Sequence, residues 1–224
     1  MGVAHSEFVK SFEVIIQLGA ILAVVVLYAK TLVTNHKLWP RIIVAFLPAA
    51  IIGYTFYNFI KIYLLGNVEV VLWALFLGGI ILIIWEKYYQ EQEHHLDKIE
   101  KLSLRKAFLV GVFQAFSVIP GVSRAGATIL GGLIVGLKRK AAVELSFMLA
   151  IPTMIAATGL DLVKSSFNFT AQEWSILAVG FVGAFLTALL AVKYFLRYIQ
   201  HHSFVAFGVY RIVLAVILWF VLVH

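Results

Sequence analysis

Nine consecutive residues carry most of the chemistry this sequence offers: Pro120-Gly121-Val122-Ser123-Arg124-Ala125-Gly126-Ala127-Thr128. Two hydroxyls, a guanidinium and two glycines sit between hydrophobic stretches on both sides. Such groups are costly to desolvate at bilayer depth, so a cluster of them marks a site. The chemistry it suits is holding a phosphate. Backbone N–H groups at a helix start and small hydroxyls donate to oxyanions, and an arginine fork meets phosphate oxygens two at a time. On this reading Arg124 neutralises charge, Ser123 and Thr128 orient phosphate oxygens, and Gly121 and Gly126 let backbone approach the ligand. Structural roles stay open at the same residues. Ser123 can bond a nearby carbonyl, Thr128 can cap a helix, and Arg124 can pair with Glu13 or Glu144.

The elements that position this loop are membrane spans. Of the 224 residues 62% are hydrophobic and 13% charged, about half the charge of an ordinary soluble domain. With mean hydropathy +0.99, the composition describes an integral membrane protein. The absence of cysteine excludes disulfides, thiolate metal sites and a cysteine nucleophile. Residues 1–10 are interrupted by His5, Ser6, Glu7 and Lys10, and the first apolar run is too long for a cleavable signal. Six stretches can cross the hydrocarbon core: 11–33, 42–62, 68–85, 142–160, 173–195 and 204–223. The apolar region 102–137 differs. Its limbs, 103–119 and 129–137, flank the Pro-Gly loop, and each is too short or too polar to span, which predicts a re-entrant hairpin lining a cavity.

Charge supports that count. With the hairpin entering and leaving on one side, thirteen Lys and Arg gather on that face against Lys10, Lys61 and Lys164 on the other. The basic face is therefore cytoplasmic, and the net charge of +7 needs no nucleic-acid partner. The charged stretch 86–106 reads as a solvated connector. Glu13 and Glu144 lie near span starts, where a carboxylate meets the positive helix end. Arg211 lies eight residues into the last span, too deep to reach water easily, and pairs inside the bundle. These three are the candidates for supporting the loop. The histidines, including the adjacent His94-His95 pair and His5, His36, His201, His202 and the terminal His224, have no metal-binding spacing and read as surface residues.

The segments around Glu13 and Glu144 match at an offset of 131 residues, as do Ala74-Leu75-Phe76 and Val205-Ala206-Phe207. Three spans per unit place the second unit upside down relative to the first, an architecture with binding sites near the midplane. The expected fold is all-α: six transmembrane helices plus one re-entrant helix pair in an inverted-repeat topology. A single membrane domain would comprise a first repeat over 1–86, a loop over 87–101 and a second repeat over 102–224. The same offset puts a first hairpin before Met1, so the chain reads as lacking its own beginning.

At Phe12-Glu13-Val14-Ile15-Ile16-Gln17-Leu18-Gly19, Pro120 to Thr128, Glu144-Leu145-Ser146-Phe147, Ala150-Ile151-Pro152 and Tyr210-Arg211, the sequence resembles the undecaprenyl-diphosphate phosphatase, or bacitracin-resistance, family. The resemblance implies hydrolysis of undecaprenyl diphosphate to the monophosphate and phosphate in the bacterial inner membrane, recycling the carrier lipid for cell-wall synthesis. It also implies a divalent metal, Mg or Ca. Two departures stand out. Ala125 occupies a place where the family usually has serine. The family's first motif, two glutamates four apart followed by Pro-x-Ser-Ser-x-Gly-His, is absent, and the metal ligands are expected there. On this reading the chain is a fragment holding half an active site. A lipid transporter or flippase and an inactive remnant are the alternatives, and a homodimer is compatible with each.

Overall fold

The computed structural model describes residues 7–64, 66–164, 169–199 and 202–222; His5, His201 and His224 fall outside them. The described chain is helical: α1 (Glu7–Thr34), α2 (Leu38–Thr55), a single turn α3 (Tyr57–Phe59), α4 (Val68–Tyr88), α5 (Leu104–Ala115), α6 (Arg124–Ile134), α7 (Arg139–Lys164), α8 (Ala171–Ile199) and α9 (Val205–Leu222). Six of these, α1, α2, α4, α7, α8 and α9, are long and apolar enough to cross a membrane. Helices α5 and α6 are too short to do so and form the hairpin. At about 1.5 Å per residue, α4 is about 31 Å long, the thickness of the hydrocarbon core.

Two boundaries differ from expectation. The second span stops at Thr55 instead of running to residue 62, and the chain passes through α3 into a π-helical turn at Ile60–Leu64. Gly53 and the β-branched Thr55 weaken the helix there. Tyr54, Phe56, Tyr57 and Tyr63 are exposed, as suits a membrane–water boundary. The second limb of the hairpin starts at Arg124, not at residue 129, because Ser123 caps it.

The helices group into two compact units, Met1–Asn35 with Phe147–Leu196, and His36–Ser146 with Arg197–His224. In the first unit, glycines bring α1 and α8 together. A Cβ on Gly19 would lie 2.5 Å from the Phe181 carbonyl oxygen, and one on Gly180 would meet the Phe12 ring. Side chains Ile176, Val179, Val182, Leu186 and Leu190 form an exposed apolar stripe on α8 at spacings of three and four, a lipid-facing surface.

The second unit holds the hairpin. Helix α5 runs beside α2, where Gly111 packs against the Ala45 carbonyl with no room for a side chain. Helices α4 and α9, which occupy the same place in the two proposed repeats, lie side by side, and Gly79 meets the Gly208 carbonyl in the same way. Such close backbone approach is how helices associate without a hydrophobic drive between them.

The base of the hairpin is tied down at the basic end of the unit. Arg41 Nε donates to the Leu102 carbonyl at 2.7 Å, and Lys106 Nζ donates to the Val135 carbonyl at 2.8 Å. The connector after α4 is not simply solvated. Leu96 N–H donates to the Gly136 carbonyl (2.8 Å) and Lys138 N–H to the Leu96 carbonyl (2.9 Å), while Ile99 and Leu102 are buried. Trp85, Tyr89 and His95 stack in series. Arg139 lies over the Tyr89 ring at 5.0 Å and pairs with Glu86 at 2.5 Å. His95 is thus part of this packing and not a free surface residue.

Candidate active site

The tip of the hairpin is made by local rules. Val122 N–H donates to the Ile119 carbonyl at 3.1 Å, closing a turn with Pro120 and Gly121 in the middle, and Gly121 has φ +88°. Proline before a positive-φ glycine is the signature of a type II turn. Ser123 follows in extended conformation, and its Oγ accepts from Gly126 N–H at 3.1 Å, making it the N-cap of α6. The Ser123 proton is still available to donate.

Gly121 has a second reason to be glycine. A Cβ there would lie 2.6 Å from the Val71 carbonyl oxygen of α4. This contact also measures depth. Val71 and Ala74, the α4 residues that Gly121 touches, lie three and six residues from the start of α4, or about 5–9 Å along it. The hairpin therefore rises from the basic end of the unit to within a turn or two of the opposite end.

Arg211 of α9 holds the turn in place. Its Nη2 donates at 3.0 Å to the carbonyls of both Ala74 and Gly121. Gly78 makes this reach possible, since a Cβ there would be 2.5 Å from Nη2. The expectation that Arg211 pairs inside the bundle is met by carbonyls and not by a carboxylate.

Beside the turn lies a cleft of about 670 Å³ between α4 and the hairpin. Ser123, Gly126 and Arg211 line it with Asn67 and Glu69 at one end, and Leu77, Ile81, Leu82, Phe113 and Leu130 supply apolar wall. One region of this cleft is polar and rich in donors, and the rest is a trough for hydrocarbon.

The other expected residues fall elsewhere. Thr128 is not a cap: its buried hydroxyl donates to the Arg124 carbonyl one turn back and receives a bond from Ser146 Oγ at 3.4 Å. A threonine one turn into a helix finds the i−4 carbonyl before it finds a ligand. Arg124 occupies the first position of α6, half-buried, and is not among the residues lining the cleft. Glu144 is half-buried two residues before Ser146 on α7, and Glu13 is exposed on α1, in the other compact unit. Sequence reasoning missed Ser146, Gly78 and Glu69. The adjacent Gly78-Gly79 pair in the middle of a span was the available signal, because glycine there marks close approach.

The sequence profile of the family described as Bacitracin resistance protein BacA matches residues 1–217. The chain belongs to the BacA family. It is 54% identical over 217 residues to an undecaprenyl-diphosphatase of Aquifex aeolicus, covering 97% of this chain and 84% of that protein. It is 47% identical over 222 residues to the undecaprenyl-diphosphatase of Sulfurihydrogenibium sp., covering 98% and 87%. With the undecaprenyl-diphosphatase of Thermus thermophilus it shares 44% over 216 residues, covering 96% and 82%. The matches run over nearly the whole of this BacA-family chain and over 82–87% of these relatives.

The donor set of this BacA-family site suits an anion. The Ser123 hydroxyl and the Arg211 guanidinium are its donors, and Glu69 is the carboxylate among its lining residues. Among the described residues no three His, Cys, Asp or Glu side chains come together. The divalent metal implied by the resemblance therefore finds no ligand set in these residues, and no step below runs through one.

Proposed function

We propose that this chain is an integral membrane phosphatase that hydrolyses undecaprenyl diphosphate to undecaprenyl phosphate and inorganic phosphate. The cleft carries this reading: a capped helix start and a guanidinium at one part, hydrocarbon-compatible walls along the rest. An amphiphile with a diphosphate head and a prenyl tail matches both parts. The names of the 44–54% identical relatives support the same substrate.

Water attacks the terminal phosphorus, the P–O bond to the bridging oxygen breaks, and the prenyl monophosphate leaves. Phosphoryl transfer of this kind needs positioning and charge stabilisation more than covalent help. Ser123, its Oγ already accepting from Gly126 N–H, donates its own proton to a phosphate oxygen. Among the described residues no histidine lines the cleft to deprotonate it, which favours a hydrogen-bonding role over a nucleophilic one. Arg124 adds its charge to the positive end of α6. Thr128 and Ser146 fix the first turn of α6 against α7, while Glu144 contributes to the surroundings at one remove. The turn at Gly121 is kept open by Arg211.

The chain resides in the bacterial inner membrane with the basic end of the second unit in the cytoplasm. The hairpin tip then lies near the outer end of α4, and the cleft receives its head group from the outer leaflet. The test is release of phosphate from undecaprenyl diphosphate by the purified chain and by Arg124→Ala. Arg124 acts on the site through the field at the start of α6, and its loss lowers turnover by about tenfold. Undiminished turnover in the folded variant, or movement of intact lipid without phosphate release, would overturn the reading.

A further inference from the structure

Arg211 carries a charge that the described residues leave unanswered. Its two hydrogen bonds go to carbonyls, which have no formal charge. Its Nε is buried and has no acceptor. The ion pairs among the described residues are Lys101–Asp97 and Arg139–Glu86, and neither involves Arg211. A half-buried guanidinium with no counter-ion and one donor unfilled is destabilising until an anion comes beside it. Arg211 lines the cleft, so an anion there can reach it.

Its place along α4 says which anion. The guanidinium bonds Ala74 and lies over Gly78. The hairpin turn meets α4 at Val71 and Ala74, nearer its start, while Ile81 and Leu82 carry the apolar wall onward past Gly78. A prenyl diphosphate with its terminal phosphate at Ser123 and its tail along Ile81 and Leu82 must pass its other phosphate beside Arg211.

We propose that Arg211 binds substrate directly, its guanidinium donating to the phosphate that remains on the lipid. This inference rests on the reading of the cleft given above and assigns its two phosphates to different residues. Ser123 acts on the phosphate that leaves. Arg211 holds the one shared by substrate and lipid product, and so sets the affinity for both. Gly78 belongs to this device. It vacates the space the guanidinium occupies, and a methyl there displaces the flexible end of an arginine, not a backbone. Gly79 differs, since a methyl there would strike the Gly208 carbonyl and separate α4 from α9.

The experiment uses the purified full chain in lipid nanodiscs, with Arg211→Gln, Arg211→Lys and Gly78→Ala. Three constants are measured: KM for undecaprenyl diphosphate, Ki for undecaprenyl phosphate, and Ki for inorganic phosphate. Arg211→Gln is expected to raise the first two by a common factor of about 10–100, the value of a hydrogen bond to a charged group. The third stays unchanged. Arg211→Lys recovers part of the loss, and Gly78→Ala shifts the same two constants in the same direction with an unchanged melting temperature. An unchanged Ki for undecaprenyl phosphate in both Arg211→Gln and Gly78→Ala overturns the proposal. A matching rise in the Ki for inorganic phosphate overturns the assignment to the retained phosphate. If Arg211→Gln does not fold, Gly78→Ala decides alone. Should the wild-type chain release no phosphate, the functional reading fails by itself, and direct titration with undecaprenyl phosphate still tests Arg211.

Discussion

The two ends of the hairpin are built on opposite principles. At its base, charged groups serve the fold: Arg139 has Glu86 and the Tyr89 ring, and Lys106 and Arg41 tie the chain through the carbonyls of Val135 and Leu102. At its tip, Arg211 holds a charge with no ion pair among the described residues and Ser123 an undonated proton, and both residues line a cleft. The contrast separates folding from function within one supersecondary unit. A helix pair too short to span a membrane needs a fixed base. A site for a doubly charged head group needs donors that the fold itself has not consumed.

The base offers the larger stability effect. Glu86→Gln removes the countercharge of Arg139 while its own surroundings stay buried. Breaking a pair of this kind costs about 3–5 kcal/mol when fully buried, and less here because the Arg139 side chain is 21% exposed. The expected result is a melting temperature lower by several degrees, with turnover per folded molecule retained. Arg211→Gln at the tip is expected to weaken binding of lipid substrate and product more than Glu86→Gln does, and to lower the melting temperature less. Equal melting temperatures for Glu86→Gln and the wild type would break the comparison at its base.

Within the tip, two hydroxyls five residues apart should behave differently. Ser123→Ala removes a helix cap worth about 1 kcal/mol and a donor to phosphate, so turnover falls about tenfold or more with a modest loss of stability. Thr128→Val keeps the shape of a side chain whose hydroxyl is already engaged by Arg124 and Ser146. Its expected effect is about 1 kcal/mol of stability and a change in turnover within about threefold. Comparable turnover losses in the two variants would show that Thr128 also serves the ligand.

Much of this arrangement was legible before any coordinates. Six spans, the hairpin and its tip followed from run length, the Pro-Gly pair and the misfit of polar residues with membrane depth. Side-chain direction was less accessible. Thr128 and Ser123 look equivalent in a motif, and only the helix start tells them apart: Ser123 precedes the first turn and Thr128 follows it. The role of Arg211 was hidden because its partners, the carbonyls of Ala74 and Gly121, are backbone atoms 137 and 90 residues away. No side-chain pattern encodes those. The connector after α4 was misread for a similar reason. Its charges suggest solvent, yet its anchors are the N–H and carbonyl of Leu96 and the rings of Tyr89 and His95.

Those rings set the smallest of the expected effects. The Tyr89 hydroxyl lies 3.4 Å from both the Leu137 carbonyl and His95 Nδ1. Burial, reinforced by the negative charge of Glu91, pushes the phenol up from 10 to about 12. Between those values the unfolded chain has released its proton while the folded chain keeps it. The folded state then binds more protons, so stability falls as pH rises from about 10 toward 12, and Tyr89 contributes no pH dependence at neutrality. Partial exposure limits the size of the change to no more than a few degrees in melting temperature. Tyr89→Phe, which cannot ionise, should flatten the decline over that interval while leaving hydrolysis at neutral pH intact. A decline just as steep in the variant would remove Tyr89 from the groups that fasten the base. A loss of turnover at neutral pH would instead couple the base of the hairpin to its tip.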